Sequence, residues 1–186
     1  MEIILLRHGK PDINLMGTAY AHEVTHHIER YDHAPVKDTP PAQAIEVAST
    51  CDAVVCSSLV RSHHSAAALN ICSIHVVDKI FNEVAMPHFK NGAIKLPIRI
   101  WIILYRLMSL ANFARNGESY RQAKKRAKHA TAKLIKIATY NKRTLLVGHG
   151  FINHLIAKEL QKQNWKGPKS PGKHYWSFDT YRKLLP

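Results

Sequence analysis

Two arginines and two histidines are the residues of this sequence whose types are best suited to chemistry on an anion. Arg7 and His8 are adjacent near the start of the chain, and Arg61 and His149 lie much further along it. An arginine guanidinium can bind two phosphate oxygens at once, and an imidazole can donate a hydrogen bond or attack as a nucleophile. Together these residue types indicate a site for a phosphate dianion.

Alternating strands and helices must position these side chains. Short runs of aliphatic and β-branched residues, which end at polar residues or glycine, predict buried strands at Ile3–Leu6, Ala53–Cys56, Ile74–Val77 and Thr144–Val147. Apolar residues at helical spacing predict helices at Pro41–Thr50, Val60–Ile71, Glu118–Ile137 and Phe151–Leu160. This order predicts an α/β fold, a three-layer sandwich with a largely parallel central sheet flanked by helices. We expect a late edge strand at His174–Phe178.

The candidate residues all follow the ends of predicted strands. Arg7 and His8 follow the first strand, Arg61 lies just after the second, and His149 follows the last of the four. Ligands bind at the carboxyl ends of the strands in open α/β sheets. The sequence therefore predicts that the four side chains meet at one edge of the sheet.

Composition indicates one globular domain, residues 1–186, with anionic partners. Lys and Arg number 27 against 13 Asp and Glu, a formal net charge of +14. Such a field favours phosphorylated molecules, nucleic acid or acidic lipid. We interpret the basic residues of the helix at 118–137 as a solvated face and expect no specific nucleic-acid partner. Three scattered cysteines and an N-terminus without a secretory leader predict a cytoplasmic protein.

Three motifs occur in a recognisable order: Arg7–Gly9 after the first strand, Ser57–Arg61 after the second, and Val147–Gly150 late in the chain. In this order and spacing the chain resembles the histidine phosphatase (phosphoglycerate mutase-like) superfamily, phosphatase branch. The resemblance implies a phosphoric monoester hydrolase of the histidine acid phosphatase type. Such an enzyme acts through a phosphohistidine on a small, anionic phosphorylated metabolite, and needs neither a metal nor another cofactor.

The same resemblance implies a role for each matching residue. His8 becomes the nucleophile, and Glu83 becomes the acid that protonates the leaving oxygen, with Asp12 and Glu23 as alternative acids. The phosphate-binding residues implied in this way are Arg7, Arg61, His149 and Asn14. For His8 to attack, one ring nitrogen must be unprotonated, so we expect the other to donate to a fixed acceptor.

Other functions compete with the phosphatase hypothesis. A phosphomutase of the same fold is disfavoured by the short chain, and a phosphate-binding adaptor by the full set of reactive residues. The segment His22-Glu23-Val24-Thr25-His26 matches a zinc-hydrolase pattern, but it lacks an evident third ligand. Cys56 and Arg61 are separated by four residues, whereas the loop of cysteine-dependent phosphatases, by resemblance, needs five.

The segment Pro97–Phe113 is nearly all apolar but is too short and too charged to span a membrane. A helix that is apolar on most sides must be covered by something. We expect residues 87–116 to act as a lid over the pocket, or residues 97–113 to form a homodimer contact or a weak membrane-surface contact.

Overall fold

The structure is a computed structural model that describes residues 1–184. Its strands are β1 (Glu2–Arg7), β2 (Thr18–Tyr20), β3 (Ala53–Cys56), β4 (Val76–Val77), β5 (Lys95–Pro97), β6 (Arg143–Gly148) and β7 (Phe178–Arg182). Its α-helices are α1 (Val24–His33), α2 (Ala42–Ser49), α3 (Val60–Ala68), α4 (Ile98–Leu110), α5 (Tyr120–Tyr140) and α6 (Gly150–Lys162). A short 3-10 helix lies at Lys79–Phe81.

The central sheet has the strand order β4-β3-β6-β1-β7. β4, β3, β6 and β1 are parallel, and β7 pairs with β1 in the antiparallel direction. The inner strands are apolar along almost their whole length because helices cover both of their faces. This arrangement confirms the predicted three-layer α/β fold.

Each face of the sheet has its own hydrophobic core. On one face α5 and α6 pack against the sheet, and on the other face α2 and α3 do so. α5 begins at a capping box, in which Ser119 and Gln122 exchange hydrogen bonds with each other's backbone amides. Its buried stripe is mainly alanine, which lets the helix lie close to the sheet.

A third, smaller hydrophobic cluster lies apart from the sheet. It joins α1, α4 and the two-stranded β2–β5 ribbon around Ala19, Val24, Ile98 and Tyr105. We call these four elements the cap. No helix within residues 1–184 is both long enough and apolar enough to cross a membrane.

Two strand predictions differ from the structure. The edge strand predicted at His174–Phe178 begins only at Phe178, because residues 174–177 form a turn in which Trp176 has a φ of 63°. The backbone of this turn still bonds to Arg7, whose amide and carbonyl pair with Ser177 and Trp176. The strand predicted at Ile74–Val77 is limited to Val76–Val77.

Candidate active site

His8 lies at the end of β1 and is 2% exposed. The next residue must be small, because a Cβ on Gly9 would lie 2.2 Å from the indole carbon Cζ2 of Trp176. The Gly9 amide donates to Ser65 Oγ at 2.9 Å. The glycine of the first motif therefore lets the turn at residues 174–177 close over the end of β1.

The hydrogen bonds of His8 define its tautomer. Nδ1 lies 2.7 Å from the carbonyl oxygen of Gly9, which can only accept. Nδ1 therefore carries the proton, as expected from the sequence, and Nε2 presents a lone pair. The guanidinium of Arg61 donates from Nε to His8 Nε2 across 3.2 Å. The potential nucleophilic atom thus faces a cation.

Arg61 lies in the first turn of α3 and is 1% exposed, so its charge must be compensated inside the protein. Its Nη1 atom forms an ion pair of 2.9 Å with Asp32 Oδ1. The guanidinium also lies over the Tyr31 ring, with 4.8 Å from Cζ to the ring centroid. Both partners belong to α1, so the cap holds the arginine that faces the nucleophile.

His149 is fully buried directly after β6, and its ring centroid lies 4.9 Å from that of His8. Its Nε2 atom is 2.7 Å from Ser57 Oγ, which also accepts the Leu59 amide at 3.2 Å. The Ser57 hydroxyl has a hydrogen and a second lone pair left, so it can donate to His149 Nε2, which puts the imidazole proton on Nδ1, or accept from it. Within residues 1–184, that Nδ1 atom has no hydrogen-bond partner.

The loop between α6 and β7 holds the side chain of Arg7. Its Nη1 atom donates to the carbonyl of Lys173, and its guanidinium carbon lies 4.4 Å from the centroid of the Tyr175 ring. Its Nε atom is buried and unpartnered in the described part of the chain, as is His149 Nδ1. Buried polar atoms normally have partners. The Arg7 Nε–H is therefore a free donor that suits an oxygen of a bound anion, and His149 Nδ1 is a second one in the tautomer that carries its proton there.

Burial keeps both histidines neutral. It lowers the pKa of His8 to about 3, and the positive charge of Arg61 contributes to the same shift. The pKa of His149 is also lowered, first by burial and then by the nearby Arg61. A neutral imidazole keeps a lone pair with which it can attack an electrophile, whereas a protonated imidazole does not.

A cavity of about 870 Å³ opens beside these residues. Arg7, His8, Arg61 and Tyr175 line one part of it, and side chains from α1, α4 and residues 78–86 line the rest. Arg7, His8, Arg61 and His149 form what we call the phosphate pocket. His149 lies behind the cavity surface, within the buried layer next to His8.

Glu83 lines the same cavity and is fixed at the N-terminus of α6. Its Oε1 accepts from the amides of Val84 and Ile152 at 2.9 and 3.1 Å, and its Oε2 accepts from Phe151 at 3.0 Å. A carboxylate is favoured at this end of a helix by the backbone amides and the helix dipole. Oε2 carries only one of these three bonds and is the freer oxygen for a proton.

The structure does not bring Asn14 into the phosphate pocket. Asn14 is exposed, and its side-chain oxygen accepts from the Met16 amide at 2.8 Å, so it forms a local turn. The alternative acids are also engaged elsewhere: Asp12 pairs with Lys37 at 3.4 Å, and Glu23 Oε2 accepts from the Tyr20 amide. Of the three carboxylates named from the sequence, Glu83 is the one on the cavity wall.

The zinc pattern does not form a metal site in this fold. α1 begins at Val24, so His22 precedes the helix and stacks on the Tyr20 ring instead of lying one turn from His26. In the part of the chain that the structure describes, no three His, Cys, Asp or Glu side chains are grouped to hold a metal. Cys56 is equally unsuited to be a nucleophile, because burial raises the pKa of its thiol to about 11.

Four residues of the site were not found from the sequence. Tyr175 lies against Arg7 and His8, Tyr31 and Asp32 hold Arg61, and Ser57 orients His149. Ser57 was within a quoted motif, so its place at a strand end was a usable signal. Tyr31 and Asp32 lie in a segment without a clear period, and Tyr175 lies in the segment predicted as an edge strand. Only the tertiary fold brings these three residues to the pocket.

One family profile matches most of the chain. The profile described as "Histidine phosphatase superfamily (branch 1)" matches residues 3–178. A search of curated proteins found no significant match.

Several solved structures have a similar fold. A mycobacterial glucosyl-3-phosphoglycerate phosphatase in complex with VO3 is 20% identical, with a TM-score of 0.64, and the alignment covers 96% of this chain and 90% of that one. The product of the Rv3214 reading frame of Mycobacterium tuberculosis is 16% identical, with a TM-score of 0.63 and coverages of 96% and 89%. The α-ribazole phosphatase of Shigella flexneri is 20% identical, with a TM-score of 0.56 and coverages of 99% and 96%.

Proposed function

Because the chain belongs to the histidine phosphatase superfamily, we propose that it is a metal-independent phosphomonoesterase that works through a phosphohistidine. The observation that carries this proposal is the state of His8. Its Nε2 atom is unprotonated and faces Arg61, beside the buried atoms Arg7 Nε and His149 Nδ1, which have no partner within residues 1–184. Neutral nucleophile, cation and free donors are the components that phosphoryl transfer requires.

In the first step, the Nε–H of Arg61 moves from His8 Nε2 to a phosphoryl oxygen. The freed lone pair of Nε2 then attacks phosphorus while the bond from phosphorus to the ester oxygen breaks. Arg7, Arg61 and His149 Nδ1 bind the phosphoryl oxygens and stabilise the charge that develops on them. For this step Glu83 carries a proton on Oε2, against the preference of the α6 amides for its ionised form. The departing alkoxide takes that proton and leaves as an alcohol. His8 keeps the proton on Nδ1, because that atom stays bonded to the Gly9 carbonyl.

In the second step, water attacks the phosphorus of phosphohistidine and gives a proton to the Glu83 carboxylate. The P–N bond breaks, which returns neutral His8 and releases inorganic phosphate. The covalent route replaces one difficult displacement with two easier ones. Because the cationic side chains stabilise the charge in both steps, neither step needs a metal ion.

The substrate of this reaction is a phosphorylated small molecule, and the three free cysteines support action in the reducing cytoplasm. Turnover tests the proposal directly. The purified protein should hydrolyse p-nitrophenyl phosphate after exhaustive chelation, whereas the His8→Ala variant should be inactive. An adaptor that only binds phosphate would show no turnover, and loss of activity on chelation would indicate a metal-dependent hydrolase.

A further inference from the structure

The cavity beside the phosphate pocket is much larger than a phosphoryl group and has a distinct apolar part. Side chains from α1, α4, the segment before β2 and residues 84–86 form this part, which we call the apolar wall: Leu15, Val24, Ile28, Val84, Met86, Ile98 and Ile102. Val24, Val84 and Ile98 are at most 2% exposed, so their places in the wall are fixed by packing. The cavity volume, about 870 Å³, lies at the upper end of the usual range for ligand pockets.

The acidic side chains of this cavity are already paired with the protein itself. Glu118 binds Arg126 through both carboxylate oxygens at 2.8 and 2.6 Å, and Asp78 binds Lys133 at 2.5 Å. Asp32 forms its ion pair with Arg61, and Glu83 accepts hydrogen bonds from the α6 amides. These pairs leave a ligand rich in hydroxyl groups with fewer free acceptor sites in this part of the cavity.

The remaining polar groups near the wall are also largely engaged. Arg126 Nη1 donates to the carbonyls of Ile80 and Asn82 at 2.7 and 2.8 Å, and Asn82 Oδ1 accepts from the Ser58 amide. Arg106 donates to the Val84 carbonyl at 3.3 Å. By contrast, His27 Nδ1 is a buried atom that has no partner in residues 1–184.

We propose that the substrate is an amphiphilic phosphate monoester, whose phosphoryl group binds the phosphate pocket and whose hydrocarbon chain lies against the apolar wall. This inference rests on the proposed function, because it names the alcohol part of the ester that the enzyme cleaves. The hydrophobic gain from each buried methylene would supply binding energy that a polar alcohol cannot obtain from this wall. Binding of the chain would also hold the ester oxygen at a fixed place relative to Glu83.

A series of n-alkyl phosphates, from ethyl to decyl and kept below micelle formation, tests the proposal. We expect kcat/KM to rise about threefold to fourfold for each added methylene and then to level off when the wall is filled. Propyl phosphate and glycerol 1-phosphate form a matched pair with the same number of carbons, and the propyl ester should be the better substrate. A flat series, or preference for glycerol 1-phosphate, would overturn the proposal while leaving the phosphatase activity intact.

Two isoleucines of α4 provide a variant and its control. Ile102 contributes to the apolar wall, whereas its neighbour Ile103 is 54% exposed on the outer side of the helix. Ile102→Asn should reduce the gain per methylene, and Ile103→Asn should leave the series for dissolved esters unchanged. Equal effects of the two substitutions would contradict the assignment of the wall. The wild-type series decides the question even if Ile102→Asn fails to fold.

Binding of n-alkylphosphonates, which cannot be hydrolysed, separates this proposal from the phosphatase proposal. Dissociation constants that fall with chain length, in a protein that hydrolyses no phosphate ester, would support the wall and contradict the proposed function. Dissociation constants that do not depend on chain length would overturn the proposal that the apolar wall binds the hydrocarbon chain. Dodecyl phosphate, presented either in anionic vesicles or as monomers, distinguishes a membrane-bound substrate from a dissolved one. Faster turnover in vesicles that Ile103→Asn abolishes would indicate that the enzyme takes the ester from a bilayer. Equal turnover of the two forms would indicate a dissolved ester.

Discussion

The phosphate pocket and the cap are built in different ways. In the phosphate pocket His8, Arg61 and His149 are each at most 2% exposed and follow the ends of sheet strands. In the cap, α4 is buried on one side but exposes Ile103 and Leu107, at 54% and 55%, on the other. The comparison indicates that the phosphate pocket is enclosed by the fold, whereas the cap has one side that packs inwards and another side that is open to solvent.

The two regions nevertheless meet at Arg61. The arginine comes from α3 below the sheet edge, but its ion pair and its stacked ring come from Asp32 and Tyr31 in α1. A change in the cap can therefore reach the nucleophile through this one guanidinium. If the two regions act separately, some substitutions should slow all esters equally and others should depend on the alcohol part of the ester.

Removing the cation that faces the nucleophile should slow every substrate. We expect Arg61→Met to lower kcat by about 10³-fold for both an alkyl phosphate and p-nitrophenyl phosphate, because both pass through the same charged phosphoryl group. Steady-state kinetics with the two esters measures this effect. Arg121→Met, at an exposed arginine of α5, is the control. A loss of kcat for only one of the esters would indicate that Arg61 acts on the alcohol part of the substrate and not on the phosphoryl group.

Glu83 should show the opposite behaviour, with an effect that depends on the leaving group. An alkoxide departs poorly without a proton, and general acid catalysis is worth about 10²–10⁴-fold, whereas p-nitrophenolate needs little help. Glu83→Gln should therefore slow an alkyl ester by about 10²-fold and p-nitrophenyl phosphate much less. The alkaline limb of the pH profile for the alkyl ester should also move. Equal slowing of both esters would indicate that Glu83 stabilises the N-terminus of α6 and does not act as the general acid.

Acid should weaken the folded protein partly through His8. The pKa of His8 is about 3 in the folded protein and about 6.5 in the unfolded chain, so between these values the unfolded state binds a proton that the folded state does not. Stability should fall as the pH drops through this window, with His8 contributing up to about 1.4 kcal/mol per pH unit.

Denaturant unfolding at several pH values measures this slope. His8→Asn should make it shallower, while the same substitution at the exposed His64 serves as the control. A slope that is identical in wild-type protein and His8→Asn would mean that His8 is not held neutral by the fold. It would also weaken the case that its Nε2 atom is ready to attack.

The sheet and the phosphate pocket could be predicted because their signals are local. An apolar strand followed by an arginine, a histidine or a glycine already places a side chain at the sheet edge, and β1, β3 and β6 lie where the sequence predicted. Glu83 also lines the cavity, although its contacts with the α6 amides could not be predicted, since they join residues far apart in the chain.

The cap and the turn at residues 174–177 could not be predicted in the same way. Nothing near Tyr175 in the sequence indicates that the chain returns over Arg7, because that contact depends on β7 pairing with β1. The apolar pattern of Pro97–Phe113 predicted a helix without indicating which side would be covered. Asn14 lies in such a segment too, and there the local bond to Met16 determined its orientation.

Trapping the phosphoenzyme tests the central claim most directly. After rapid quenching of a reaction with a labelled phosphate ester, the label should be stable to alkali, labile to acid and attached to His8. The hydrogen bond from Nδ1 to the Gly9 carbonyl further predicts that phosphorus is bonded to Nε2, which ³¹P NMR of the digested protein distinguishes from the Nδ1 isomer. Label on Nδ1 or on another residue, or turnover by His8→Ala at the wild-type rate, would contradict the account.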